Sequence, residues 1–425
     1  MQKLTLKNIG PIVDCALEVD DFMVFTGEQA SGKSTIAKSI FFFNNLKNIL
    51  FAMCQKNMTL KPLFEGTTLE QSFLREVYKA FTQSFGNAGS NIDGFASYEY
   101  DNGSKVTVYF QPDEVGATVK VEVDDSIKKG LGELEKKIES AKGKDAAQIK
   151  EFINNDIFAS DMEVIYIPAG RSMLTVLSAQ INYLYSVMDD RIRSMIDYCT
   201  QQFMENVLLL KDYFNNSYEN ILKSTIETVN YPIDEEKAKQ ACVIMQKILG
   251  GQYRTVNGEE RLYFENDKYV KINYASSGQQ EAVWIINILF YYMLGQRKTF
   301  FIIEEPESHL FPATQKAIID LISLVKNGEN KVLITTHSPY VLGSINNLIF
   351  AYHVAVDEKK KAIKDVVNER LWINPDYVGA YYIKDGKTED IMDREYKDIN
   401  HDVIDGVSGV LNEEYEKMLG VSEGD

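Results

Sequence analysis

The chain is poor in cysteine, in long apolar runs and in positive charge. Its four cysteines, Cys15, Cys54, Cys199 and Cys242, stand far apart without metal-like spacing. That excludes a disulfide scaffold or zinc ribbon and fits reduced thiols in a cytoplasmic protein. No apolar stretch reaches the roughly 18–20 residues needed to cross a bilayer. The longest, WIINILFYYML from Trp284 to Leu294, has the length of a core helix. The opening MQKLTLKNIGPIVDC carries no apolar signal core, so neither secretion nor membrane association is expected. Internal repeats and low-complexity linkers are also missing.

Basic residues number 45 against 62 acids, a net charge of −17. This excludes a surface that coats DNA generally, because phosphate contact relies on Lys and Arg, but it leaves open a local basic groove for nucleic acid. Nearly half of the excess lies between Lys387 and Asp425, with twelve acids against four bases. There Ile404, Val407, Leu411, Tyr415 and Met418 recur at helical spacing, which predicts a docked acidic helix. With 425 residues, 45% of them hydrophobic and 25% charged, the composition is that of a globular protein of two or three domains.

Against this background, residues 27–35 read GEQASGKST, which fits the phosphate-loop pattern G-x-x-x-x-G-K-[ST]. A short apolar strand, Asp21–Phe25, precedes it and a helix-forming run comes after it. Backbone N–H groups of Gly27, Glu28, Gln29, Ala30, Ser31 and Gly32, with the helix start at Lys33, Ser34 and Thr35, can converge on phosphate oxygens. The two glycines permit close approach and unusual dihedrals. Lys33 would reach the β and γ phosphates of ATP and Ser34 would ligate Mg²⁺. At ~7% glycine, a chance match is expected in about one or two chains per hundred of this length, so a coincidental turn is the weaker reading.

Three further segments matter. FFII, Phe300 to Ile303, runs into the paired acids Glu304 and Glu305. An apolar strand that ends in acid beside a phosphate strand can hold Mg²⁺, here through Glu304, and orient or deprotonate a water, here through Glu305. Glu304 is one methylene longer than the usual Asp, which a water-mediated Mg²⁺ contact tolerates. A second strand, Val332–Ile334, leads to His337, placed to hydrogen-bond a γ-phosphate. Upstream, Ser276, Ser277, Gly278 and Gln279 open an apolar helix and form either an anion seat or a plain N-cap. Each segment alone has a bland reading: a solvated acid pair, a structural histidine, a helix cap. Their order along one chain is the stronger signal.

On these residues the sequence resembles the ABC-type ATPases of the SMC/RecF-like group. GEQASGKST resembles Walker A, ASSGQQE the ABC signature, FIIEEPESHLFPATQ the Walker B and D-loop run, and ITTHSPYVL the switch-histidine segment. Ala275 stands where the signature usually has Leu, and Glu304 where Walker B has Asp. The EEPESHL form resembles standalone ATPases related to OLD-type nucleases and bacterial defence systems. The resemblance implies an α/β P-loop NTPase head with a helical insertion and a C-terminal helical cap. It also implies an ATP-dependent homodimer in which Ser276 and Gly278 cap the ATP of a second copy. It covers both ends of the chain and leaves the middle third unmatched.

That middle is long: 243 positions separate Lys33 from Ser276. Phe95–Phe110 reads as a hairpin about Asp101-Asn102-Gly103. Lys120–Lys150 has eight lysines against seven acids, a solvated helical face. Leu177 to Leu210 carries an apolar stripe at a mean spacing of about 3.67 residues, which predicts one uninterrupted helix, either packed as a lobe or projecting as an arm, with a return over 218–229. Arg171, at the end of a preceding strand, is set to touch phosphate or a partner, or simply to pack. Turns at Asn257-Gly258 and Asn266-Asp267 mark a strand-rich approach to Ser276. The divisions expected are 1–172 and 231–370 for the two parts of the head, 173–230 for the helical lobe and 371–425 for the acidic cap.

Only 88 residues follow His337, and Asp390 and Asp393 read as surface acids on a helix, so no nuclease is expected within this sequence. The leading functional reading is an ATP-hydrolysing sensor or scaffold, a homodimer or larger homo-oligomer, that controls a separate nuclease or toxin effector in prokaryotic anti-phage defence. The alternatives are a RecF-like DNA-binding repair ATPase and, less favoured, the ATP-binding subunit of a membrane transporter.

Overall fold

Strands that are apolar on both faces set the frame, because a sheet covered on both sides admits continuous apolar runs. The computed structural model describes residues 1–59, 66–86, 93–113, 116–140, 146–176, 195–295, 297–356, 358–400 and 412–419. Its central strands are β3 (Phe22–Gly27), β7 (Glu163–Ile167), β11 (Thr299–Glu304), β12 (Lys331–Thr336) and β13 (Val378–Lys384). They pair in parallel in the order β13-β3-β12-β11-β7. Along β3, Phe22 and Val24 enter one apolar core while Met23 and Phe25 enter the other; Phe301 and Ile303 of β11 oppose Phe300 and Ile302 in the same way.

The sheet continues beyond β13 through β14 (Lys387–Asp390) to an antiparallel wing, β2 (Ile12–Glu18), β1 (Lys3–Ile9), β4 (Gly94–Glu99), β5 (Lys105–Asp113) and β6 (Gly116–Val123). β4 and β5 form the hairpin expected at Asp101–Gly103. Packed in the second core is α1 (Lys33–Thr59), with Ile36, Ile40, Phe41, Phe42, Phe43, Leu46 and Leu50 fully buried. Beyond it lie α2 (Leu69–Phe85), started by a Thr68–Gln71 capping box, and the lysine-bearing α3 (Asp125–Ser140) and α4 (Ala146–Phe152). α5 (Tyr198–Leu210) lies along the β7 edge, with Cys199 in the second core and Phe203, Val207 and Leu210 in the first. On the opposite face sit α6 (Tyr218–Thr228), α7 (Glu235–Leu249), α8 (Ser277–Leu294), α9 (Pro312–Lys326) and α10 (Pro339–Val354). Prolines at the first helical position start α9 and α10, where the missing N–H costs nothing. The short α11 (Lys359–Val366) follows α10.

Three expectations change. First, the acid strand β11 is not paired with the phosphate strand β3; the histidine strand β12 lies between them. All three still end at one edge, because Glu304, Thr335 and Phe25 share a register. Second, the stripe from Leu177 does not yield one continuous helix. Residues 195–197 are non-helical, and Asp197 accepts a hydrogen bond from the Thr200 N–H as the N-cap of α5. Asp197 also meets Lys38 of α1 at 2.9 Å, a tertiary tie that periodicity does not register. The part over 177–194 lies outside the described residues. Third, much of the segment expected as a helical cap is strand. β13 pairs with the phosphate strand, and Asp390 and Asp393 lie on β14 and β15 (Met392–Asp393), which pairs with β16 (Asp398–Ile399). Helix occupies 412–419, with exposed side chains, and 401–411 lie outside the described residues.

β13 is therefore structural to the edge that carries the Gly27–Thr35 loop. A Cβ added at Gly27 would lie 2.3 Å from the Ile383 carbonyl oxygen, and Gly27 has φ +147°. Truncation after Tyr377 should abolish the cooperative thermal transition seen by circular dichroism, since β3 loses a six-residue neighbour. A truncated chain that melts cooperatively and keeps ATP affinity would show that β13 is dispensable.

Candidate functional site

The phosphate loop leaves β3 at Gly27 and enters α1 at Lys33, with Gly32 at φ +111° and Ala30 at +61°. At Gly32 a Cβ would come 2.3 Å from Ile12 Cδ1, so the wing strand β2 packs directly under the loop. Glu28, Gln29, Ala30 and Ser34 are exposed or nearly so, Ser31 and Thr35 are partly covered, and Lys33 is buried. The Lys33 ammonium donates to the carbonyls of Gly27 (3.0 Å) and Glu28 (2.7 Å) and to Ser31 Oγ (3.4 Å). Burial pulls its pKa down to about 8, an effect opposed by the negative charges of Glu305, Glu307 and Glu304. The loop lysine and the acids of β11 therefore share one electrostatic environment.

The two adjacent acids are held differently. Glu304 is buried. Its Oε2 accepts from the Ala169 N–H (3.2 Å), while Oε1 is buried with no well-formed hydrogen bond, the buried Tyr166 hydroxyl being the group close to this carboxylate. An unpaired buried carboxylate oxygen is costly and is what a bound cation would satisfy. Glu305 sits at φ +42°, its N–H tied to the Thr335 carbonyl (2.9 Å), which turns its side chain to the open edge. There Glu305 Oε2 accepts from Ser308 Oγ (3.1 Å) and Oε1 lies 3.7 Å from His337 Nε2. A non-glycine residue at positive φ is uncommon, and here it separates the directions of neighbouring carboxylates.

His337 follows the end of β12 as expected. Burial, and then the charge of Lys33, lower its pKa, while Glu305 and a hydrogen bond to the Gly27 backbone oppose the shift. The imidazole is thus neutral at pH 7. Glu307, two residues past the acid pair, was not among the expected site residues. It is buried, and its Oε1 accepts from Thr336 Oγ1 (2.6 Å) and from the His337 N–H (2.8 Å), which fixes the backbone that carries the histidine. Burial raises its pKa despite those bonds.

The Ser-Ser-Gly-Gln start of α8 is a complete capping box. Ser276 Oγ accepts from the Gln279 N–H (3.4 Å), and Gln279 Oε1 accepts from the Ser276 N–H (3.0 Å). Ser276 and Ser277 are nevertheless exposed. Gly278 is pressed against the loop after β11, where a Cβ would lie 2.6 Å from the His309 carbonyl oxygen. Gln279 Nε2 donates to the Leu249 carbonyl (2.7 Å).

Arg171 settles into packing inside the molecule. Fully buried, it donates from Nε to the Glu281 carbonyl (3.0 Å), and its Nε also lies 3.3 Å from Glu281 Oε2. Its Nη1 donates to the Glu304 carbonyl (2.6 Å) and to that of Pro168, and Nη2 to the Glu305 carbonyl (2.9 Å). Glu281 also takes the N–H groups of Arg171 (3.0 Å) and Ser172 (2.9 Å). One guanidinium thus joins α8 to the backbone of both acids. Sequence reasoning missed Glu281 and Glu307 because isolated acids on polar stretches read as solvated. The available signal was their place inside ASSGQQE and EEPESHL.

Among the described residues no helix is long and apolar enough to cross a membrane, and no cluster of three or more His, Cys, Asp or Glu forms a metal cage. A family model described as an AAA ATPase domain matches residues 117–342, a span that holds α8, the acid strand β11 and His337 but not the loop at residues 27–35. No curated protein gives a significant match. Among solved structures, an SMC head bound to the C-terminal winged-helix domain of ScpA is 12% identical, covering 92% of this chain and 96% of that one, at a TM-score of 0.44. The SMC head domain from Thermotoga maritima is 11% identical, covering 92% and 97%, at 0.35. An ATP-binding cassette in a dimeric post-hydrolysis state with ADP and phosphate is 13% identical, covering 92% and 97%, at 0.32.

Two outcomes are expected. Arg171→Met should cost about 3–5 kcal/mol in urea unfolding, the cost of leaving a buried acid uncompensated. The Arg171→Met/Glu281→Met double variant should recover part of that loss; strict additivity would show that the pair is not coupled. At pH 8, where Lys33 is about half protonated, ATP phosphates should restore its proton. Calorimetry in buffers of different ionisation enthalpy should then show proton uptake at pH 8 that declines at pH 7 and is absent in Lys33→Arg. Equal uptake by Lys33→Arg would place the titrating group elsewhere.

Proposed function

The chain belongs to the family of AAA ATPase domains and hydrolyses ATP, and from that premise we propose that it works as an ATP-controlled homodimeric switch. In this reading two copies close around two ATP molecules. The loop from Gly27 to Thr35 binds the phosphates, with Lys33 on the β and γ groups. Glu305 orients or deprotonates the attacking water, and the neutral His337 imidazole hydrogen-bonds the γ-phosphate. Ser34 and the unpaired Oε1 of Glu304 would hold Mg²⁺, which supplies charge neutralisation at the phosphates; the low number of protein ligands suits an ion that retains water.

The observation that carries the reading is the placement of the two anion seats. The phosphate loop packs on Ile12 and Ile383, whereas the Ser276–Gln279 helix start packs on His309, Leu310 and Leu249. Ser276 and Ser277 face solvent with their capping bonds already made. A second copy would bring such a seat to the γ-phosphate held by the first. The ATP-dependent dimer would act as a sensor or scaffold for a separate effector in prokaryotic anti-phage defence; this part is supported by the EEPESHL resemblance. Copurification from the native host with mass spectrometry tests for that effector.

Glu305→Gln should retain ATP and elute with twice the 48.4 kDa mass of one chain, with hydrolysis at least ~100-fold slower. Hydrolysis at the parental rate would remove Glu305 from the role. Lys33→Ala and Ser276→Arg should each be inactive alone. Mixed in equal amounts, they should regain about a quarter of parental activity, since half of random dimers hold one intact composite site. A mixture as inactive as its components would overturn the shared site.

A further inference from the structure

Immediately before the signature helix, β8 (Gln252–Val256), β9 (Glu259–Tyr263) and β10 (Tyr269–Lys271) form a separate antiparallel sheet. The turn between β8 and β9 has Asn257 and Gly258 at positive φ, and the next has Asn266 and Asp267 there, so both turns expected from the sequence are present. One face is buried: Tyr253, Leu262 and the Glu260 carboxylate point into the molecule. The register sets the other face. Arg254 pairs with Arg261, which pairs with Lys271, giving a row of three cations; Tyr263 pairs with Tyr269 in the adjacent row.

Like charges directly opposite one another are destabilising in a sheet, and this face has two such pairs in a protein of net charge −17. They are held in place by aromatic rings. The Arg254 guanidinium lies 4.7 Å from the Tyr263 ring centroid and that of Arg261 lies 4.4 Å from the Tyr269 centroid; the two tyrosine centroids are 5.4 Å apart. Glu259 partly offsets the row through Arg261 (2.8 Å) and Lys271 (2.7 Å). Arg254 has no carboxylate partner among the described residues. Its Nη2 donates to Gln252 (2.9 Å), and its Nε is buried without a hydrogen bond. The cleft that adjoins it is lined by Arg254, Tyr263 and Phe264 together with the acids Glu265 and Asp267. Tyr269 and Lys271 are about half exposed, at 48% and 47%.

We propose that this face binds single-stranded nucleic acid. Three cations across adjacent strands span roughly 10 Å, two inter-strand spacings, which three successive phosphates match when the strand is drawn out beyond its stacked rise of about 3.4 Å per nucleotide. Arg254, Arg261 and Lys271 take phosphates, and the half-exposed ring of Tyr269, with the partly covered Tyr263 beside it, takes an unstacked base, a combination that suits a single strand and that a duplex cannot use. An acidic peptide would satisfy the cations but leave the paired tyrosines without a role. The proposal is independent of the shared ATP site, because none of these residues belongs to it.

The test uses the full chain and a fluorescein-labelled oligothymidylate of about 20 nucleotides, followed by anisotropy over a salt series. Three phosphate contacts give a slope of log K against log salt near −2, from about −0.7 per contact on a single strand. Lys271→Gln and Arg254→Gln should each flatten the slope by about 0.7, and Tyr269→Ala should weaken binding about tenfold with the slope unchanged. Lys271 is exposed, so its substitution leaves the fold intact and keeps the test valid if Arg254→Gln misfolds. Each folded variant should hydrolyse ATP at the parental basal rate. Absence of binding at low salt, binding untouched by these variants, or equal affinity for the same-length duplex would overturn the proposal. Displacement of the oligonucleotide by polyglutamate at equal charge, with Tyr269→Ala silent, would assign the face to an acidic protein instead.

Discussion

The arrangement depends on one buried guanidinium. Arg171 is 0% exposed and spends its donors on Glu281 and on the carbonyls of Pro168, Glu304 and Glu305. A fully buried charge is tolerated only when it is paired and its hydrogen bonds are satisfied, so these groups must move together or not at all. The consequence is geometric. The helix that begins at Ser276 and the backbone that aims Glu304 and Glu305 are one rigid assembly. In a shared-site dimer, contact at the helix start of a subunit would reach that subunit's own acids through this link.

A second constraint is division of labour among three glutamates within four positions. Glu304 points inward with an orphan oxygen, Glu305 is turned outward by its positive φ toward His337, and Glu307 folds back to hold the histidine backbone. Side chains alternate along β11, but alternation ends with the strand at Glu304. The chain then enters a tight loop whose directions come from Thr335, Thr336 and Ser308. The electrostatic result is a lysine with a lowered pKa and a neutral histidine held among carboxylates. This is a site in which phosphate charge would find a compensating proton.

Much of the site is legible in the order of residues alone. GEQASGKST has one sensible conformation because glycine alone accepts the dihedrals and contacts found at positions 27 and 32. Phe300–Ile303 has to be a buried strand, and the turns at Asp101–Gly103, Asn257-Gly258 and Asn266-Asp267 come from local backbone preference. Local chemistry decides such features, so local sequence carries them. The apolar stripe ending at Leu210 misleads because period alone cannot report a break imposed from outside, such as Asp197 reaching both the Thr200 N–H and Lys38.

The sequence by itself determined the residue types: a loop able to wrap phosphate, acids at a strand end, a histidine one strand away, and a capped helix start. Those arise from side-chain chemistry and short-range periodicity. Tertiary structure alone decided strand order, so that β12 lies between β3 and β11 and β13 supports the phosphate loop from a segment that reads as an acidic tail. It also decided that Glu281, Glu307 and Arg171 are interior groups with partners up to 134 positions away. Burial and pairing at such separations are properties of the packed chain, because the free-energy cost of an unpaired interior charge exists only once water has been excluded.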